Sequence, residues 1–139
     1  MSVPSEIEEL IAGAALSAHL ATMTDDRPHV APVWYGYDDG VLNTLTGGRK
    51  RANWRENPRV AVSIEKLRAG DPVWMVAMQG VAEVSEDPTR IEAAREWIFP
   101  KYRAHETDGG DNETESESEE SASALIEIAI GSATLQRYR

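Results

Sequence analysis

Apolar residues recur along this chain with two periods, and each period predicts an element. Near the start, Ile7, Leu10, Ile11 and Ala14 fall on one helical face, and Ser5-Glu6-Ile7-Glu8 has the form of a capping box. A short amphipathic helix is therefore expected over 5–14. The period then shortens to two. Leu16, Ala18 and Leu20 share a face within 16–24, the turn DDRP leads into HVAPVWYGY, and Asp38-Asp39-Gly40 is a hairpin signal before VLNTLT. These read as three antiparallel strands with tight connections. Beyond Pro58, RVAVSIE aligns Val60, Val62 and Ile64 as a fourth strand, and after the turn LRAGDP comes the long run VWMVAMQGVAEV. That fifth strand is apolar on both sides, with Trp74, Val76 and Met78 on one face and Val73, Met75 and Ala77 on the other. A strand buried twice needs cover beyond its own core, and a second copy of the chain is the simplest cover.

Asp87-Pro88 has the form of a helix start, acid as cap and proline in the first turn, and Ile91, Ala94, Trp97 and Ile98 make a helical face expected to end near Pro100. The stretch 104–122 holds too few apolar residues to pack and is expected to be a disordered loop. Alternation returns in SALIEIAIGSATLQRY, where Ile126, Ile128 and Ile130 align in a closing strand. Six strands in meander order with short helices predict a mainly β, small-barrel fold in one domain spanning 1–139.

The charge of −10 sharpens this picture once it is located. Residues 106–121, ETDGGDNETESESEES, carry eight acidic side chains and no basic one, which leaves the rest of the chain near −2. Eleven of the 14 basic residues are Arg, a pattern of low Lys and high acid that suggests a halophile, although one segment supplies most of the acid. An acidic chain would repel phosphate backbones, so nucleic acid is not an expected partner. There are no cysteines, hence no disulfides and no thiolate metal site, and the three histidines form no metal-ligand pattern. MSVPSEIEEL lacks the features of a signal peptide and no apolar run is long enough to cross a bilayer, so a cytoplasmic, membrane-free protein is expected.

The segment with chemistry in it is Thr44-Leu-Thr-Gly-Gly-Arg-Lys-Arg-Ala-Asn-Trp-Arg-Glu-Asn-Pro58. Thr44 and Thr46 lie on one face of their strand, a Gly-Gly turn follows, and Arg49, Lys50 and Arg51 open one or two expected helical turns. Hydroxyls, free backbone N–H groups, a helix start and fixed cations make a phosphate-sized anion site, to which Arg55 and Arg59 add charge. The same residues also suit a solvated basic turn that balances nearby carboxylates, and local chemistry leaves the two open.

The run AHLATMTDDRPHVAPVWYGYDDGVLNTLTGGRKRANWRENPRVAVSI resembles the FMN-binding split β-barrels of the pyridoxamine 5'-phosphate oxidase-like superfamily. The matching pattern is L-A-T, a turn with R-P-H, P-V-W, then T-x-x-x-x-x-K-x-x-N-x-x-x-N-P-R-V, over about residues 18–64. The resemblance implies a six-stranded antiparallel split barrel that works as a homodimer with FMN between subunits. It implies that Lys50 contacts the cofactor phosphate, assisted by Thr44, Thr46, Arg49 and Arg51, and that Pro32, Val33 and Trp34 lie along the flavin ring. Asn53 would hold the turn. His29 could hydrogen-bond near the ring and Gln79 could reach a partner subunit's flavin, but ordinary strand positions are the simpler explanation of both. LQRYR does not match the Arg-rich terminal segment of the vitamin B6 oxidase, so pyridoxamine phosphate is not the expected substrate. No acid–base or nucleophile arrangement is legible, which suits chemistry carried by a cofactor, and no catalytic residue is assigned. The expected function is an FMN-dependent oxidoreductase acting on an unidentified small molecule. Two further readings stand beside it: a reductase using the deazaflavin coenzyme, and a non-catalytic flavin- or haem-binding protein. Gly48 stands where some deazaflavin-coenzyme relatives carry Arg.

Overall fold

A computed structural model describes residues 3–46, 57–103 and 124–138. Its meander is set by three two-residue hairpin turns in which both central residues have positive φ: Asp25 and Asp26 at 51° and 64°, Asp39 and Gly40 at 47° and 82°, and Ala69 and Gly70 at 52° and 86°. Such turns twist in the sense that antiparallel strands require. They join β1 (Ala18–Thr24) to β2 (Arg27–Val33), β3 (Gly36–Asp38) to β4 (Val41–Thr46), and β5 (Arg59–Arg68) to β6 (Asp71–Ser85). A last strand, β7 (Ala124–Arg137), and two helices, α1 (Ser5–Ile11) and α2 (Pro88–Arg103), complete the described elements.

All seven strands form one antiparallel sheet in the order β2-β1-β5-β6-β7-β4-β3. The outermost strands of that order, β2 and β3, are joined by only Trp34 and Tyr35. Laid flat, seven strands about 4.8 Å apart would separate those edges by about 29 Å. The three Cα steps from Val33 to Gly36 reach at most about 11 Å. The sheet must therefore curl until its edges meet, and the crossover at Trp34-Tyr35 closes it into a barrel.

Alternation decides what fills the barrel. Ala18, Leu20, Val60, Val62, Ile64, Trp74, Val76, Met78, Ile126, Ile128 and Ile130 point inward and are buried, and Ile7 and Ile11 of α1, with Val3 just before it, join the same core. A second core lies outside the barrel wall, where Ile91, Ala94, Ile98, Phe99 and Tyr102 of α2 pack over Leu125, with Trp34 and Leu45 at its margin.

Several sequence expectations are corrected here. HVAPVWYGY is two strands, not one, because the crossover breaks it, so the sheet has seven strands where six were expected. The strand VLNTLT pairs through the Asp39-Gly40 turn with β3, as expected, and on its other side with β7; it makes no ladder with β2. The first helix stops at Ile11, its N-cap is Pro4, and no side chain caps it, so Ser5 and Glu8 do not form a capping box. In α2 the Asp87 carboxylate does cap, accepting from Thr89 N–H at 3.0 Å. The helix runs through Pro100 to Arg103, because Phe99 and Tyr102 gain burial that outweighs the lost backbone hydrogen bond. Trp97, expected on the apolar face, is 45 % exposed. The expected helical turns after Thr46 and the expected loop 104–122 lie outside the described residues.

Candidate functional site

The outward side chains of the barrel form a face with little on it. Read across the paired strands, one row is Pro32, His19, Ser63, Ala77 and Thr134, and the next is Val30, Ala21, Ala61, Gln79 and Ser132. Small residues at this density leave a depression of about 350 Å³. It continues through the shared residues Ala21, Ala61, Gln79 and Ser132 into an open groove of about 680 Å³, walled by Met23, Pro28 and Val81 with Arg59 at its rim. A β-bulge shapes this groove. Gln79 pairs with Ser132 and Gly80 with Ile130, which leaves Gly131 over. Beyond the bulge the parity of β7 switches, so that Ala133 and Leu135 pack on the core while Ser132 and Thr134 turn outward. Gly80 is needed there, since a Cβ would sit 2.5 Å from the Ala129 carbonyl oxygen.

A second arrangement surrounds the crossover, whose polar groups are buried and hence must be paired. Thr44 Oγ1 donates to the Trp34 carbonyl at 2.6 Å. Lys101 Nζ donates to the Tyr35 carbonyl at 2.9 Å and lies 4.3 Å from the Tyr35 ring centroid and 5.0 Å from that of Tyr102. The Tyr102 hydroxyl accepts from Tyr35 N–H at 3.1 Å and donates to the Leu16 carbonyl at 2.6 Å. The Tyr35 hydroxyl donates to the Ile11 carbonyl at 2.7 Å. Trp34 stacks on Tyr102 with centroids 4.4 Å apart and planes 5° from parallel, and meets Phe99 edge-on at 5.5 Å. Burial pushes the Lys101 ammonium down to about 8 and the Tyr35 and Tyr102 phenols well above their ordinary range, Tyr35 with a smaller contribution from Tyr102.

The expected site residues are distributed over these two arrangements. Pro32 is exposed on the outer face beside His19. Val33 turns inward opposite Ala18 and packs on the barrel core, and Trp34 lies under α2. Thr44 is 1 % exposed with its hydroxyl committed to Trp34, and Thr46 is half-buried at the end of β4. Arg49, Lys50 and Arg51 lie outside the described residues, as do Asn53 and Arg55. His29 is exposed on the opposite side of β2 from Val30 and Pro32. Sequence reasoning missed Lys101 and Tyr102. The signal that could have found Tyr102 is its spacing of four from Ile98, which continues the α2 face past Pro100.

A curled antiparallel sheet closed by a two-residue crossover, with one helix packed outside and a groove of small residues on its outer wall, defines a split β-barrel. The chain belongs to the pyridoxamine 5'-phosphate oxidase family, whose model matches residues 4–137. Among curated proteins none matches it in sequence. Among solved structures it is similar to a FAD-binding protein of Mesorhizobium loti at 20 % identity and a TM-score of 0.69, covering 100 % of this chain and 98 % of that one. It is similar to an F420 reductase at 26 % identity and a TM-score of 0.67, covering 95 % and 98 %. It is also similar to a conserved hypothetical protein of Mycobacterium tuberculosis at 23 % identity and a TM-score of 0.74, covering 99 % and 86 %. Among the described residues no helix is long and apolar enough to cross a membrane.

Proposed function

We propose that this chain is an FMN-binding oxidoreductase that acts as a homodimer on a small molecule other than pyridoxamine phosphate. The observation that carries this reading is the outer groove of about 680 Å³, floored by Ala21, Ala61, Gly80 and Gly131. A floor without bulky side chains fits a flat heterocycle, and the match to the FAD-binding structure supports a ligand of that chemistry. Lys50, with Arg49, Arg51 and Thr46, would hold the phosphate. Pro32 would border the ring, while Val33 and Trp34 anchor the strand end that presents it. Thr44 has a different part, since its hydroxyl holds the crossover. A bound flavin supplies hydride or single-electron transfer, and the side chains around it orient it and exclude water.

A second copy would cover the outer face. Val30, Val81 and Met23 are 69 %, 49 % and 36 % exposed beside the alanine rows, and Met75 and Ala77 are half-buried on the outer side of β6, whereas Val73, expected there, packs on the barrel core. Covering them would remove the apolar surface that β6 leaves in water.

The test is an absorbance spectrum of purified protein before and after addition of FMN and desalting. Retained flavin bands, lost in Lys50→Ala, support the reading, and a colourless protein with no flavin affinity defeats it. The 26 % identity to an F420 reductase favours one second reading, the deazaflavin coenzyme, with Arg51 and Arg55 available to its anionic tail. Tighter binding of that coenzyme than of FMN would select it.

A further inference from the structure

Lys101 stands out among the cations of α2 for its surroundings. Its ammonium is half-buried, and among the described residues no carboxylate pairs with it. The titratable groups facing it are the Tyr35 phenol from the crossover and the Tyr102 phenol from α2. Arg103, further along α2, lies over the Phe99 ring at 6.0 Å. Desolvating an ammonium is costly, so its half-buried place beside the crossover needs a reason.

The crossover provides one. It is the single covalent bridge between the outermost strands of the sheet order, and it is gripped from two sides. Thr44 of β4 holds the Trp34 carbonyl, and Lys101 with Tyr102 of α2 hold the Tyr35 backbone. Through Thr44 the crossover is tied to β4, and two residues past Thr44 that strand leads into the segment carrying Arg49, Lys50 and Arg51. We propose that Lys101 is a positioning residue: by wedging its ammonium between the Tyr35 and Tyr102 rings and donating to the Tyr35 carbonyl, it fixes the crossover and thereby sets β4 and the anion end of the flavin site. Lys101 touches no ligand in this role, and the role rests on the flavin reading above.

Two measurements on wild type and Lys101→Met test it, with Arg95→Ala as a control elsewhere on α2. The first needs no ligand. The parallel Trp34–Tyr102 stack should give near-ultraviolet circular dichroism that is altered in Lys101→Met, and the wild-type signal should step with a midpoint near the Lys101 value of about 8. Identical spectra and no step in the wild type overturn the proposal. The second is FMN affinity: Lys101→Met should bind at least about tenfold more weakly at unchanged far-ultraviolet dichroism, and Arg95→Ala should bind as wild type does. Equal affinity in Lys101→Met overturns the proposal. The variant should fold, because the methionine fills the same space without a charge to desolvate. A wild type that binds no flavin defeats the flavin reading instead, and the dichroism then decides whether Lys101 sets the crossover.

Discussion

Replacing Gly80 by alanine should destabilise this barrel more than any surface property of the residue suggests. An ideal Cβ there lies 2.5 Å from the Ala129 carbonyl oxygen and 2.9 Å from Ile128 Cγ2. Ordinary C···O approach is about 3.3 Å, so one partner must retreat by about 0.8 Å. The oxygen cannot do so cheaply, because Ala129 is paired with Val41 on one side and Val81 on the other. Ile128 is fully buried and has no room to swing. Overpacking of this kind costs about 1–3 kcal/mol, and an immovable backbone atom places the cost near the top of that range. Alanine recovers about 0.4–1 kcal/mol by stiffening the unfolded chain. A net loss of about 2 kcal/mol remains, a fall in Tm of roughly 6 to 8 °C for a chain of this length. Gly13 is the control, since nothing lies within 4 Å of a Cβ built there and its φ is not left-handed. Gly13→Ala should leave stability within about 0.5 kcal/mol or raise it. Urea unfolding and calorimetry on the three proteins measure the difference. A Gly80→Ala protein as stable as wild type would refute the close approach of β6 and β7 at the bulge, and with it the account of how the groove floor is kept open.

Three further outcomes follow from the charges and the outer face. Lys101 is lowered in the fold to about 8 against 10.5 unfolded, so between those values the unfolded chain holds more protons and stability should rise with pH. The rise should be of order 1 kcal/mol, allowing for screening of a half-exposed ammonium, and Lys101→Met should lack it in urea titrations at pH 7.5 and 9.5. Tyr35 and Tyr102 are raised by burial, and Tyr37 is pushed up to about 12 by burial first and then by its hydrogen bond to Glu8, so their stabilisation is present below pH 10 and lost above it. Alkaline unfolding that releases these phenols together is the expected spectrophotometric result, and their titration near 10 in the folded protein would contradict it. On the outer face, Ala77→Glu would place a charge between Ser63 and Thr134 at the centre of the proposed dimer contact. The dimer dissociation constant should rise roughly a thousandfold, and light scattering that shows a monomeric wild type at tens of micromolar would remove the contact itself.

Much of the barrel was legible because period-two alternation reports which side of a strand is apolar. Val60, Val62 and Ile64, Trp74, Val76 and Met78, and Ile126, Ile128 and Ile130 all line the interior as the pattern required. Asp39-Gly40 was readable as a hairpin because its residue types tolerate positive φ. The outer face was visible only through one doubly apolar strand, β6, and not as a groove. A groove needs Ala21, Ala61 and Gln79 from three strands to be brought into one row.

Local pattern is blind to the partner. Nothing within HVAPVWYGY says that it breaks at Trp34, because the break is required by closure of the sheet and not by any breaker residue. Nothing near Pro100 says that α2 continues, because the gain comes from Phe99 and Tyr102 packing on the barrel wall. Thr44 looked like an anion ligand because a hydroxyl beside a basic turn suits phosphate. Its burial against the Trp34 carbonyl is a contact between residues ten apart that alternation cannot express. The sequence by itself determined the β class, the turns and the inward faces, since these depend on side chains a few residues apart. The tertiary structure alone decided the strand order, the crossover clamp with Lys101 and the shape of the groove, since each depends on segments that meet only when the sheet closes.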